Sequence, residues 1–207
     1  MDKGEQTRLA ILEQAARVFS LSGFSGTSMD TLTRATGLTK GGIYNHFGSK
    51  EVLALEAFDF AQNLMQQRFR EIFQGHSNAC DRLLAMVELF RSIIVDPLLP
   101  GGCLLLNTAV ESDDTNPALR ARAQQTADTW QEYVTRTVQS GIERQQLKPG
   151  TDPSRVLTTL LATLEGAIML CKLYGETSYM EQTVEHLTAY VESLRVEATR
   201  TDGVSST

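Results

Sequence analysis

One short stretch decides the fold of this chain, and it reads Thr39-Lys40-Gly41-Gly42-Ile43-Tyr44-Asn45-His46-Phe47. It predicts a helix of two turns in which Ile43 and Phe47 lie one turn apart and form a packing face. The opposite side contains two glycines, each of which costs a helix about 1 kcal/mol relative to alanine. So short a helix accepts that cost where a large partner must approach its backbone closely. The major groove of DNA is such a partner.

Two further helices are predicted before this stretch. The first covers residues 5 to 22 and ends at Gly23, and its apolar residues Leu9, Leu12, Ala16 and Phe19 recur at helical spacing. Thr27 or Ser28 is the N-cap of a short second helix, which Gly37 closes, and Thr39 is the N-cap of the third. Two short helices joined by a tight turn that contains a glycine are the outline of a helix-turn-helix.

Six more helices follow in the prediction, and no strand pattern appears. Ser49 caps a helix from 50 to about 74, and others cover about 79–95, 103–110, 117–145 and 153–174. A capping box of Ser178 and Glu181 opens the ninth. We therefore expect an all-α protein of about nine helices. Residues 1–49 would form a helix-turn-helix domain, residues 50–200 a larger ligand-binding and dimerisation domain, and residues 201–207 a disordered tail.

Charge and composition narrow the classes of function. The chain has a net charge of −6, but residues 1–50 hold six Lys/Arg against four Asp/Glu, net +2, which leaves 13 against 21, net −8, for the rest. A basic end suits contact with phosphates. The first residues lack the apolar core of a signal peptide, so we expect a cytoplasmic protein. The apolar run 157–173 is interrupted by Glu165 and Lys172, which favours a buried helix over a membrane span.

Several segments together resemble the TetR family of bacterial transcription regulators, of the TetR/AcrR-like type. They are Gly23-Phe24, Thr27-Ser28-Met29, Thr36-Gly37-Leu38-Thr39-Lys40-Gly41, Ile43-Tyr44-Asn45-His46-Phe47 and Ser49-Lys50-Glu51-Val52-Leu53. The resemblance covers the first quarter of the chain, and beyond residue 55 it lies only in the architecture. It implies a homodimeric repressor that binds a partly palindromic DNA operator and releases it when a small-molecule effector enters the C-terminal domain.

The resemblance also implies which residues line the DNA. Hydroxyls and N–H groups at helix N-termini suit phosphate oxygens, and we assign this role to Thr27, Ser28, Thr39, Tyr44, His46 and Lys50. Lys40, Asn45 and the bare edge at Gly41 and Gly42 are better placed for bases, since lysine can read guanine and asparagine adenine. Taken singly, each of these residues also fits an ordinary surface or half-buried position.

The effector site and the dimer interface are predicted from helix faces. Aromatic residues, and polar residues embedded in apolar helices, suggest a pocket for a hydrophobic or planar effector, lined by Phe69, Phe90, Cys103, Asn107, Trp130 and Glu165. The same side chains could instead fill the core. Steps of three and four on the last two helices, together with the resemblance, predict a dimer interface of Leu157, Leu161, Leu164, Ile168, Val184, Leu187, Val191 and Leu194.

Three alternatives to an effector-released repressor are a cysteine sensor, an enzyme and a module that binds protein. Cys103 follows two glycines at the start of a short helix, whose N-terminus would lower the pKa of its thiol and make it an electrophile or redox sensor; the alternative is a buried, inert cysteine. Cys80, Cys103 and Cys171 lack paired spacing, so we expect neither disulfide nor metal nor cofactor. Cys103 with His76 or His186 matches no nucleophile motif, which argues against an enzyme. A helical module that binds protein would lack salt-dependent DNA affinity.

Overall fold

The computed structural model describes residues 2–197 and gives nine α-helices within them. They are α1 Lys3–Gly26, α2 Met29–Thr36, α3 Lys40–Phe47, α4 Lys50–Phe73, α5 Ala79–Val95, α6 Leu104–Ser112, α7 Pro117–Glu143, α8 Pro153–Tyr174 and α9 Ser178–Ser193. Over that range the β structure is one isolated bridge between Leu147 and Arg195. The all-α prediction is confirmed, whereas the predicted tail at 201–207 lies outside the described residues.

Side-chain caps set the starts of α2, α3 and α4. The hydroxyls of Ser28, Thr39 and Ser49 accept hydrogen bonds from backbone N–H groups three residues later. Each bond satisfies a donor that a helix start leaves unpaired. Gly37 ends α2 in the left-handed conformation, and Gly23, at φ 70° and ψ 175°, interrupts α1 before its last turn. The predicted caps and both glycine stops are therefore confirmed, and Ser28 rather than Thr27 is the cap of α2.

The N-terminal core joins α1, α2 and α3 to the first half of α4. Its buried members are Ile11, Leu12, Ala15, Ala16, Leu32, Ile43, Phe47, Leu53, Ala57 and Ala61. The last three belong to α4, so this core extends beyond the boundary predicted at residue 49. Because α4 continues for another three turns into the second domain, it connects that domain to the core that holds α3.

The larger core is built around α5, which packs against α4, α7, α8 and α9. α8 has the length and hydropathy of a membrane span, yet Leu160, Leu164 and Ile168 lie in this core, as in the central helix of a globular domain. α9 has Thr177 as its N-cap, without a side-chain hydrogen bond to the backbone. The capping box predicted from Ser178 and Glu181 is therefore wrong.

Candidate nucleic-acid interface and effector cleft

The helix α3 presents one buried and one exposed face. Ile43 and Phe47 are buried in the N-terminal core, whereas Lys40, Gly41 and Asn45 are exposed. A Cβ atom added at Gly41 would meet no other atom within 4 Å. The fold itself therefore does not require glycine at this position, and the bare backbone is available to an external partner.

Polar groups surround the exposed face of α3. The Lys40 Nζ atom lies 5.8 Å from the ring centroid of Tyr44, one turn later, and both Tyr44 and His46 are half-buried. The Thr39 hydroxyl accepts the Gly42 N–H at 3.2 Å, and a hydroxyl that accepts a hydrogen bond still has its own proton to donate. This face thus combines one cation with hydroxyl, amide and imidazole groups.

Two of the residues predicted to contact DNA have other partners. Thr27 is buried, its hydroxyl donates to the Gly23 carbonyl at 2.6 Å and its N–H to the Phe24 carbonyl at 3.3 Å, so the prediction of a phosphate contact is wrong for Thr27. The Lys50 ammonium donates to the Phe24 carbonyl at 2.7 Å and lies 4.2 Å from the centroid of the Phe24 ring. Lys50 therefore holds the end of α1 against the start of α4.

A cleft of about 510 Å³ lies between α4 and α7. An aromatic cluster forms one wall, in which the Phe69 ring is 5.2 Å from Trp130 and 4.9 Å from Tyr133, both edge to face. Phe69 also stacks on Phe73 at 3.8 Å. The rest of the lining is largely polar: Asp59, Gln62, Asn63, Gln66, Arg122, Gln125, Thr126, Thr129 and Arg136, with Phe58 and Met65. The volume is within the range of sites for drug-sized ligands.

The charged groups of the cleft are paired with one another or with neighbours. Arg122 lies 3.2 Å from the Asp59 carboxylate, and Arg136 lies 2.9 Å from Glu132, which precedes it by one turn. Burial raises the pKa of Asp59, against the opposing effect of the Arg122 charge. The hydrogen-bonding groups that remain for a ligand are mainly the side-chain amides.

A smaller cavity of about 50 Å³ continues inward from the cleft. Gln62, Met65, Thr126 and Trp130 belong to the walls of both. The inner cavity is otherwise mostly apolar and reaches Phe90 on α5 and Cys103 at the N-cap of α6. The two spaces together connect the outer face of α4 and α7 with the first turn of α6.

The structure brings together four of the six residues predicted for the effector site. Phe69 and Trp130 line the cleft, and Phe90, Cys103 and again Trp130 line the inner cavity. Asn107 instead is exposed and donates to the Gly101 carbonyl at 3.1 Å, and Glu165 is buried in α8 outside both walls. The prediction is therefore corrected for both residues, and Asn107 instead borders a separate depression beside Gly23 and Glu111.

Sequence analysis missed the polar half of the cleft. Gln62 follows Phe58 by one turn on α4, and Tyr133 follows Thr126 by two turns on α7, so each polar residue shares a helix face with an aromatic one. That combination was the available signal. Gln62 does not stand out as a polar residue in an apolar helix, because Asn63, Gln66 and Gln67 lie beside it in the sequence.

Cys103 does not have the chemistry predicted for a sensor. It is buried, and burial raises the pKa of its thiol well above the ordinary value, an effect that the neighbouring Glu165 carboxyl reinforces. The hydrogen bonds from the N–H groups of the helix start oppose this shift without reversing it. The prediction of a lowered pKa is therefore wrong. Within residues 2–197, no group of His, Cys, Asp or Glu side chains could hold a metal ion.

Half of the predicted dimer interface lies inside the protomer. Leu164, Ile168, Leu187 and Val191 are buried in the larger core, and the prediction for these four is corrected. Leu157, Leu161, Val184 and Leu194 are partly buried against the same core. A different stripe of α8 is open: Thr158, Ala162, Met169 and Leu173 are exposed, and Gly166 among them is half-buried.

Comparison with known proteins agrees with this architecture. A family model described as bacterial regulatory proteins of the tetR family matches residues 11–57, and one described as a tetracyclin repressor-like C-terminal domain matches residues 79–187. The chain belongs to the TetR family. It is accordingly a DNA-binding transcriptional regulator and not an enzyme.

Individual TetR-family proteins extend the likeness over most of the chain. A TetR regulator from Chloroflexus aurantiacus is 43% identical, with a TM-score of 0.92 over 95% of this chain and 100% of that one. The transcriptional repressor DhaR of Mycobacterium sp. is 24% identical over 84% of this chain and 87% of its own length. A Saccharomonospora viridis regulator solved with choline has a TM-score of 0.80 at 24% identity, over 94% of this chain and all of its own.

Proposed function

We propose that this protein is a homodimeric repressor in the cytoplasm that leaves its DNA operator when an aromatic effector enters the cleft between α4 and α7. The observation that carries the proposal is the position of α4. Its C-terminal half forms one wall of the cleft, and its N-terminal half packs in the core that holds α3. A ligand that favours a different position of α4 therefore also favours a different position of α3. DNA is released because the ligand binds that state more tightly than it binds the DNA-bound state.

The exposed face of α3 would enter the major groove. Lys40 and Asn45 would contact base edges, and Gly41 would let the backbone come close, as the open space around it allows. Ser28, Thr39, Gly42, Tyr44 and His46 would contact phosphates or lie against the groove edge. Thr27 has no part in this proposal, and Lys50 acts by holding Phe24.

The walls of the cleft favour a planar, uncharged aromatic effector with polar groups at its edge. The rings of Phe69, Trp130 and Tyr133 supply an aromatic surface, and their edge-to-face arrangement suits a further ring. The arginines already face carboxylates, so an anionic ligand would have to break existing ion pairs. The amides of Gln62, Asn63, Gln66 and Gln125 can both donate and accept hydrogen bonds.

The open stripe of α8 would form the centre of the dimer. Ala162 and Gly166 are small and allow a partner helix to approach closely, while Met169 and Leu173 expose apolar surface, 54% and 68% of their area. Exposed apolar patches on a helix mark contact surfaces. A twofold axis beside α8 would place two copies of α3 on one operator, and the two must be about 34 to 36 Å apart to enter successive major grooves.

Selection of bound genomic fragments by the purified protein, at near-physiological salt, tests the DNA half of the proposal. A single palindromic motif is the expected result. If no motif is enriched even after the protein is denatured, extracted and refolded to remove a co-purified effector, the chain is not an operator-binding repressor.

The only tryptophan of the chain reports on the cleft, because Trp130 lines its wall. Aromatic compounds that quench its fluorescence are then tested for release of the selected operator fragment. We expect quenching and release to have the same concentration dependence. Quenching that leaves the operator bound would contradict the cleft as the regulatory site while leaving DNA binding intact.

A further inference from the structure

A single carboxylate from α6 binds two backbone N–H groups in the last turn of α1. One oxygen of Glu111 accepts the Phe24 N–H at 2.9 Å, and the other accepts the Ser25 N–H at 2.6 Å. Glu111 is thus shared between two consecutive backbone donors. Hydrogen bonds to a charged acceptor are about twice as strong as those between neutral groups.

The interruption of α1 at Gly23 creates these two donors. Gly23 adopts φ 70° and ψ 175°, which takes the next residues out of the helical path and leaves their N–H groups available to α6. A Cβ atom at Gly23 would lie 2.6 to 2.8 Å from the carboxylate atoms of Glu111. A side chain at position 23 would therefore displace the Glu111 carboxylate, so the contact requires glycine there.

Phe24 is also held by α4, on the side opposite to Glu111. The Phe24 carbonyl accepts the Lys50 ammonium, which also lies over the Phe24 ring. Phe24 is consequently fixed by its N–H to α6, by its carbonyl to the first residue of α4, and by its ring to the same lysine. Ser28, which caps α2, follows four residues later, so these contacts determine where the helix-turn-helix begins.

The opposite end of α6 borders the inner cavity. Cys103 at its N-cap, with Leu104 and Leu105 in its first turn, lines that space. The preceding loop is also attached to α1, because the Ser20 hydroxyl donates to the Pro100 carbonyl and Gly101 packs on the Ser20 backbone. A helix of nine residues is a rigid connection of about 14 Å at 1.5 Å per residue. It joins the cavity wall directly to Glu111.

We propose that Glu111 is a positioning residue for DNA recognition, which sets the start of the helix-turn-helix through the N–H groups of Phe24 and Ser25 and makes that setting respond to the inner cavity through α6. The dependence on the cavity rests on the function proposed above. The contact with the backbone of α1 does not, because it is made between two elements of the same chain.

Three variants of the full-length protein test the positioning role. Glu111→Ala removes both acceptors, Glu111→Gln keeps the shape and one acceptor, and Asp114→Asn removes an exposed charge of the adjacent turn as a matched control. Amide hydrogen exchange at Phe24 and Ser25 is followed by NMR, operator affinity is measured on the fragment selected with wild type, and the melting temperature shows whether each variant is folded.

We expect a graded loss in the two Glu111 variants. Exchange at the two amides should accelerate at least ten-fold in Glu111→Ala, operator affinity should fall about ten-fold, and Glu111→Gln should lie between this variant and wild type. Asp114→Asn should match wild type in both measurements. A folded Glu111→Ala protein with wild-type operator affinity would overturn the proposal. A wild-type protein that selects no operator would instead overturn the proposed function itself.

A double-mutant cycle tests the connection to the cavity without a known effector. Leu105→Phe places a larger side chain on the wall of the inner cavity. We expect it to weaken operator binding in the wild-type background and to have at least three-fold less effect in the Glu111→Gln background, since coupled residues give non-additive effects. Equal effects in both backgrounds would show that α6 does not transmit through Glu111.

Discussion

Helices α3 and α8 both carry apolar residues at helical spacing, but α3 buries one face and α8 buries several. In α3 the rule of apolar spacing predicts Ile43 and Phe47 as core, and both are buried. In α8 the rule identified Leu164 and Ile168 as a surface for a second subunit, and both are buried inside the protomer. The spacing was correct in both helices, but the partner assigned to the face was wrong in the second.

The difference follows from how many faces each helix buries. α3 buries one face only, against α2 and α4 in the N-terminal core, and its other residues are exposed or half-buried. α8 contacts α5, α7 and α9, and its large aliphatic residues fill that core. The stripe that remains open contains small residues, Ala162 and Gly166, beside Met169. Periodicity reports that a face is apolar, and it does not report what covers that face.

The largest effect should come from a charge placed on the open stripe of α8. We expect Ala162→Arg to convert the dimer to a monomer, because the guanidinium would be buried without a partner at a helix–helix contact. A monomer loses the advantage of binding two half-sites at once, so operator affinity should fall by about 10² to 10⁴-fold. Sedimentation and operator binding on the same sample measure both changes.

Two control variants separate this face from the core and from added charge. Leu164→Ala should lower the free energy of unfolding by about 2 to 5 kcal/mol and leave the purified protein dimeric, because Leu164 is a core residue. Ala118→Arg adds the same charge at an exposed position of α7 and should change neither the oligomeric state nor the operator affinity. A monomeric Leu164→Ala protein would restore the interface first predicted from the spacing.

A smaller effect, with opposite signs for stability and function, is expected at Gly41. Gly41→Ala should raise the free energy of unfolding by up to about 1 kcal/mol, since alanine favours a helix and the added Cβ meets no atom of the protein. Operator affinity should nevertheless fall at least ten-fold, because the methyl group occupies the space through which the backbone approaches DNA. Denaturant unfolding and operator titration give the two values.

The control for Gly41→Ala is a variant of Arg34 on the neighbouring helix α2. Arg34 is exposed near the end of α2, and Arg34→Ala should weaken binding to operator and to random DNA alike, as expected for loss of a charge near phosphates. A stabilised Gly41→Ala protein with unchanged operator affinity would show that the glycines of α3 have no role at the groove.

The sequence was sufficient where structure is determined by neighbours along the chain. Caps such as Ser49 and stops such as Gly37 act within four residues, and the predicted positions agree with the structure. Contacts between distant segments could not be predicted this way. The pairing of Glu111 with Phe24 joins residues 87 positions apart, and the Lys50 ammonium donates to the carbonyl of the same residue. Nothing local in the sequence distinguishes these side chains from ordinary surface charges.

Glu165 is a buried polar residue of α8, and neither apolar packing nor the open stripe accounts for its position. It is 9% exposed, and among the described residues neither oxygen has a hydrogen-bond partner. The Cys103 thiol lies close enough to interact with it. Burial raises the pKa of Glu165 above its ordinary value of 4.5. A buried polar group without partners costs about 1 to 3 kcal/mol, so this side chain lowers the stability of the isolated protomer.

The smallest expected effect is therefore a gain in stability on removing this carboxylate. Between pH 4.5 and the raised pKa the folded protein binds more protons than the unfolded chain, so the free energy of unfolding decreases as pH rises through that window. Glu165→Met should be more stable than wild type by about 1 kcal/mol near neutral pH, and the gain should shrink as the pH is lowered toward 4.5. Glu165→Gln should remove the pH dependence and recover less of the stability, because the amide remains polar. Denaturant unfolding at several pH values distinguishes the two variants. A Glu165→Met protein that is less stable than wild type at every pH would show that the buried carboxylate stabilises the fold and would contradict this prediction.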